Sequence, residues 1–138
     1  MMPLLHLLAR IMERKIMSDK MFAVLDPNPL LCLVEDAGAE VAEGFFRRYL
    51  QMLPLRTAKL TRALFDGDQE AALDAVLSLK TTSRMAGAAR LARLCAELEG
   101  KVRDGSVICR SVEATLIEQQ RLVMEYAGIQ VRVAVATA

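Results

Sequence analysis

The polar side chains best placed for chemistry lie in Leu77-Ser-Leu-Lys-Thr-Thr-Ser-Arg-Met-Ala-Gly-Ala88. Ser78 and Thr81 carry hydroxyls that could act as nucleophiles, but only beside a general base, and no base is evident in the stretch. The sole histidine of the chain, His6, stands some seventy residues upstream of it. A single histidine removes most metal, triad and general-base sites by count alone. No Gly-rich phosphate loop and no cluster of metal-ligand spacing occurs, so neither a cofactor nor a metal is expected. Cys32, Cys95 and Cys109 are an odd set without CxxC spacing. They read as small buried apolar residues of a reducing, cytoplasmic compartment rather than as a disulfide framework.

The elements that position this stretch follow from composition and periodicity. The 138 residues are 54% apolar and only 4% aromatic, without Trp. A core of Ala, Leu, Val and Met favours packed helices over a β-sandwich. Eighteen basic and seventeen acidic side chains leave a formal charge of +1, which gives no footprint for nucleic acid or an anionic membrane. No apolar run approaches the roughly 20 residues needed to span a bilayer. The Leu4–Met12 segment is short, is interrupted by Arg10, Glu13, Arg14 and Lys15, and lacks a convincing small-residue cleavage site, so it does not read as a signal peptide. Met17-Ser-Asp-Lys-Met21 reads as a start in its own right, which makes residues 1–16 a translated upstream stretch or a short extra helix.

Asp26-Pro-Asn-Pro opens a short helix to about Asp36, ended by Gly38. From Glu40 to Asp66 a long helix is expected, with Val41, Phe45, Tyr49, Met52, Leu60 and Leu64 as its inward stripe. Pro54 should kink or break it near Met52–Leu53. Asp66-Gly-Asp68 is a turn, and Asp68 caps a helix from Gln69 to Ala86 that buries Ala72, Val76, Leu79, Ser83 and Ala86. Gly87 ends that helix. A further helix from Ala89 to about Val102 turns Leu91, Leu94, Cys95 and Leu98 inward. Ser106 caps the last, which runs to about Ala127 with Val112, Leu116, Gln119, Val123 and Tyr126 on one face. Ile129-Gln-Val-Arg-Val-Ala-Val alternates like a strand but has no partner, so a tail laid on the bundle, or frayed, is expected. The fold class is all-α, an antiparallel four-helix bundle with an additional short N-terminal helix. Its organisation is an extension over 1–22, a bundle over 23–128 and a tail over 129–138. The basic residues Arg47, Arg48, Arg56, Lys59 and Arg62 of the long helix read as a solvated face.

The stretch at 77–88 resembles the motif of histidine-containing phosphotransfer (HPt) domains, His-x-Leu-Lys-Gly followed by small polar residues and Gly-Ala. Leu79, Lys80, Ser83, Gly87 and Ala88 fall in register, and Leu77 falls on the phosphoacceptor histidine. The Asp-Pro start, Phe45-Phe-Arg-Arg-Tyr-Leu50, the Gly-Asp turn and the run Ala88–Glu99 extend the resemblance over about residues 24 to 127. It implies the same helical bundle and a place in a two-component phosphorelay. The partners it implies are a response-regulator receiver domain or a histidine kinase. It also implies that Lys80 would offset phosphoryl charge and that Thr81, where the family has glycine, adds bulk. The relay chemistry needs an imidazole nitrogen that forms a labile N–P bond. Leu77 has no lone pair, so binding without phosphate acceptance is the expected role.

At about 100° per residue, Leu77 lies roughly 160° around the helix from Leu79. With Leu79 in the core, Leu73, Leu77, Lys80, Thr81 and Arg84 form an outward face suited to docking a partner. Alternatively, Leu73 and Leu77 pack under the N-terminal segment or the tail. A homodimer through these leucines, in a protein no longer tied to phosphorelay, is the competing functional expectation.

Overall fold

The computed structural model describes residues 22–106 and 109–137, with side-chain surroundings for 22–106 and 111–128. The segment 1–21, with His6 and Met17, and residues 107, 108 and 138 lie outside the described residues. Five helices make up the described chain: α1 (Asn28–Ala37), α2 (Ala39–Asp66), α3 (Gln69–Ala86), α4 (Ala89–Asp104) and α5 (Cys109–Thr137). The helix α3 packs between α2 and α4, α5 closes mainly on α2, and α1 lies across α2 and α3. This is the expected all-α bundle with its short first helix. No described helix is long and apolar enough to cross a membrane.

Local chemistry sets the boundaries of α3. Asp68 accepts a bond from the Ala71 amide at 3.0 Å, satisfying one of the donors that a helix start leaves unpaired. Gly87, at φ +87°, ends it in the left-handed region that glycine enters without penalty. Gly87 has a second task. A Cβ built on it would sit 1.9 Å from the Asp26 carbonyl oxygen, because the irregular segment before α1 crosses the α3–α4 turn. The Asp26 amide donates to the Gly87 carbonyl at 2.6 Å, and the Arg90 amide to the Ala23 carbonyl at 3.0 Å. Val24 and Leu25 are buried beneath this crossing, so residues 22–26 are part of the folded unit.

Several expectations are corrected. Residues 39–66 form one helix, with no break at Pro54. Proline removes a single helical hydrogen bond there, and Tyr49, Leu53 and Leu60, on both sides of it, are buried in the same core. The buried face of α2 is Ala42, Phe46, Tyr49, Leu53, Thr57, Leu60 and Ala63. Val41 is therefore 52% exposed, and Phe45, Met52 and Leu64 are only half-buried. Leu94 is half-buried beside the buried Leu91, Cys95 and Leu98. Ile129 to Val135 continue α5 rather than forming a strand-like tail. Adding a residue to a nucleated helix gains a backbone hydrogen bond at each step, whereas a lone strand gains none. Cys32 lies exposed on α1, and only Cys95 of the described thiols is buried.

Candidate functional site

The candidate site is the outward side of α3, and the helix itself decides which side chains reach it. Ala72, Ala75, Val76, Leu79, Ser83 and Ala86 face the core and are buried. Leu77 lies on the opposite side, half-buried, with Thr81 and Arg84 exposed next to it. Leu73 is half-buried and packs against both apolar clusters of the core, the smaller formed by Ala63, Ala72 and Val102. The two leucines thus do not form the exposed pair that spacing suggested. Leu73 serves the seam of the bundle, and Leu77 alone faces outward.

Lys80 is likewise less free than a rim cation. Its side chain is 17% exposed, and Nζ lies 2.5 Å from Oε1 of Glu99 on α4. Glu99 also accepts from Arg103 at 3.1 Å. The hydrogen bond from Lys80, and after it the one from Arg103, hold the Glu99 carboxyl below the usual carboxylate range. On the other flank of α3, the Arg56 guanidinium of α2 donates to Ser78 Oγ. The outward strip with Leu77, Thr81 and Arg84 therefore runs between two cross-helix ties, one to α4 and one to α2.

Beneath the strip, the Tyr49 and Ser83 hydroxyls meet at 2.8 Å, both buried. Burial keeps the Tyr49 phenol well above its ordinary value. Burial also pushes the Cys95 thiol up to about 12, against the opposing pull of the Lys80 cation. Both groups are neutral near pH 7. They form a polar seam inside the core and offer no nucleophile to a partner.

Among the described residues no set of His, Cys, Asp and Glu could hold a metal ion. Ser78 receives a bond from a guanidinium, which cannot take up a proton and so cannot serve as its base. The strip can make contacts, and the Leu77 side chain at its centre has no lone pair to offer a phosphoryl group. Sequence reading missed Met85, 44% exposed on the same side of α3, and the partners Arg56 and Glu99. Met85 stands eight residues from Leu77, a helical repeat that was visible. The two cross-helix partners had no such local signal.

A family model described as Hpt domain matches residues 44–129. Among solved structures, the chain is similar to the HPT domain from the Hpt sensor hybrid histidine kinase from Shewanella, with a TM-score of 0.59 and 21% identity. That match covers 80% of this chain and 92% of the other. At this identity the likeness is one of fold. No curated protein matches the sequence.

Proposed function

The chain belongs to the Hpt domain family, and from that premise we propose that it is a cytoplasmic docking module of a two-component phosphorelay that accepts no phosphate itself. The family's members are carriers between receiver and kinase domains rather than catalysts. One observation carries the reading: the position that the motif assigns to the acceptor is Leu77, half-buried on the outward side of α3. A leucine cannot attack phosphorus, and it can be covered by a partner at a gain of roughly 25 cal/mol per Å² of apolar surface removed from water. Leu77 is the apolar centre of the proposed contact. Thr81 and Arg84 form its polar rim, Lys80 contributes from the Glu99 pair, and Leu73 supports it from below. A receiver domain or a histidine kinase occupying this face would be held without being discharged. A homodimer through Leu73 and Leu77 draws less support, because Leu73 packs into the core.

The test is binding of the purified full chain to candidate receiver and kinase domains, with Leu77→Asp and Lys80→Glu as probes. Binding that Leu77→Asp abolishes supports docking on α3; absence of any receiver or kinase partner, or indifference to both substitutions, rejects it. Incubation with a phosphorylated receiver should leave the chain unlabelled. Leu77→His should gain label if the face still seats a receiver.

A further inference from the structure

We infer that the groove between α2 and α5 is a homodimer interface, covered by the same groove of a second copy of this chain around a two-fold axis. The apolar part of the inference rests on Phe65 and Ile117. Both are large side chains left more than half exposed, at 57% and 54%. One stands on α2 and the other on α5, yet both line a single groove of about 500 Å³, together with Pro54 and Ala58. A lone surface leucine or phenylalanine needs no explanation. Two large apolar side chains from different helices on one groove form a patch that water disfavours.

The make-up of the groove selects a second copy as its occupant. A two-fold interface sets one patch against itself, so the patch must carry both a knob and a hollow, and both signs of charge. Phe65 is the knob, and the groove it borders has room for the benzyl group of another copy. Arg62 and Glu113 line the same groove with opposite charge. Arg62 reaches only Asp66 on its own helix, at 3.7 Å with both side chains well exposed. Glu113 has no ion-pair partner among the described residues. Across a two-fold axis each Arg62 meets the Glu113 of the other copy, and complementary charge of this kind fixes the register of an interface. The whole chain has a formal charge of +1, so two copies meet little long-range repulsion. The residues before Phe22 are a poorer occupant. Arg90 holds the Phe22 carbonyl at 3.2 Å beside the α3–α4 turn, whereas Phe65 stands near the other end of α3, roughly 27 Å away by the length of that helix. The groove is also separate from the outward side of α3. Arg56 and Lys59 mark the flank of α2 toward α3, and Pro54 and Ala58 the flank toward α5. A dimer formed here leaves Leu77 of both copies uncovered, and the inference holds whether or not that face docks a receiver.

The experiment is sedimentation equilibrium of the full chain from about 1 μM to about 1 mM, a range that covers weak and moderate dissociation constants. A monomer–dimer equilibrium is expected. Phe65→Ala should weaken it at least about tenfold, as the loss of a central aromatic anchor. Arg62→Glu and Glu113→Arg should each weaken it about tenfold. The two reversals in one chain recreate the pair across the axis and should restore the dimer to within about threefold of the parent. Phe65 and Arg62 are exposed and Glu113 is half-buried, so the variants keep the fold of the monomer, which circular dichroism checks. Leu77→Asp should leave the dimer intact. A monomer over the whole range, assembly beyond the dimer, or a dimer indifferent to Phe65→Ala would overturn the inference. So would a double reversal that dimerises no better than the single ones, or a dimer that Leu77→Asp dissolves.

Discussion

Lys80 Nζ lies 2.5 Å from Glu99 Oε1, tying α3 to α4 on the flank next to Leu77. Both side chains are largely covered, at 17% and 19% exposure. The pair is thus better shielded than the other ion pairs of the described residues, which join exposed neighbours within one helix, apart from the Arg103 contact to the same Glu99. Exposed pairs of that kind contribute little. A partner drawing on the Lys80 charge must compete with Glu99 for it.

The first prediction concerns acid stability. The Glu99 carboxyl titrates below its unfolded value, so the pair stabilises the fold above that value, and the contribution is lost as pH falls through the folded-state pKa. Glu99→Gln should lower the melting temperature near neutrality and flatten its decline below about pH 4.5. Thermal melts of both proteins from about pH 7 to about pH 3 measure this. Parallel curves would show that the ion pair adds nothing.

A second prediction follows from the Tyr49–Ser83 bond. Ser83→Ala leaves a buried phenol without a partner and should cost about 1–3 kcal/mol, whereas Tyr49→Phe should cost about 1 kcal/mol. The double variant should be more stable than the sum of the two by at least about 0.5 kcal/mol. Denaturant unfolding of the four proteins closes the cycle. Additive losses would mean that the two hydroxyls do not bond in solution.

How much of this was legible in the sequence depends on how local each feature is. Asp68 and Gly87 act on their own helix ends, and both ends of α3 lie where those residues place them. The inner face of α2 was displaced by one position over its first half. Val41-Phe45-Met52 and Ala42-Phe46-Leu53 share the same spacing, and the small Ala42 and polar Thr57 do not announce themselves as core. The last residues of α5 misled in a different way, since alternating Val and polar residues carry a strand pattern while helix propagation decides the outcome. The Arg56–Ser78 and Lys80–Glu99 contacts span 22 and 19 residues, and only packed helices bring them together. They also changed the site itself, since they turned two apparent surface cations into structural ones.

A third prediction separates two glycines that share a left-handed backbone. Gly67, at φ +68°, has open space where a Cβ would stand, so Gly67→Ala should cost only the backbone term, about 1–2 kcal/mol. Gly87→Ala adds a clash with the Asp26 carbonyl, which itself belongs to a segment bonded to the turn. Its cost should exceed about 3 kcal/mol, among the large values for single substitutions. Equal melting temperatures for the two variants would mean that residues 22–26 do not cross the turn as described.

The fourth prediction tests the orientation of α3 on which the docking proposal depends. Leu79 is fully buried, and Leu79→Ala should cost about 2–5 kcal/mol through lost burial and a residual cavity. Leu77 is half-buried and is not among the described side chains packed on either apolar cluster. Leu77→Ala and Leu77→His should therefore stay within about 1 kcal/mol of the parent chain. Leu79→His, by contrast, forces a polar ring into the core and should unfold the domain or cost more than the alanine. Urea unfolding of these variants decides the matter. A large loss for Leu77→His would place residue 77 in the core, and the outward face would then have no apolar centre for a partner to cover.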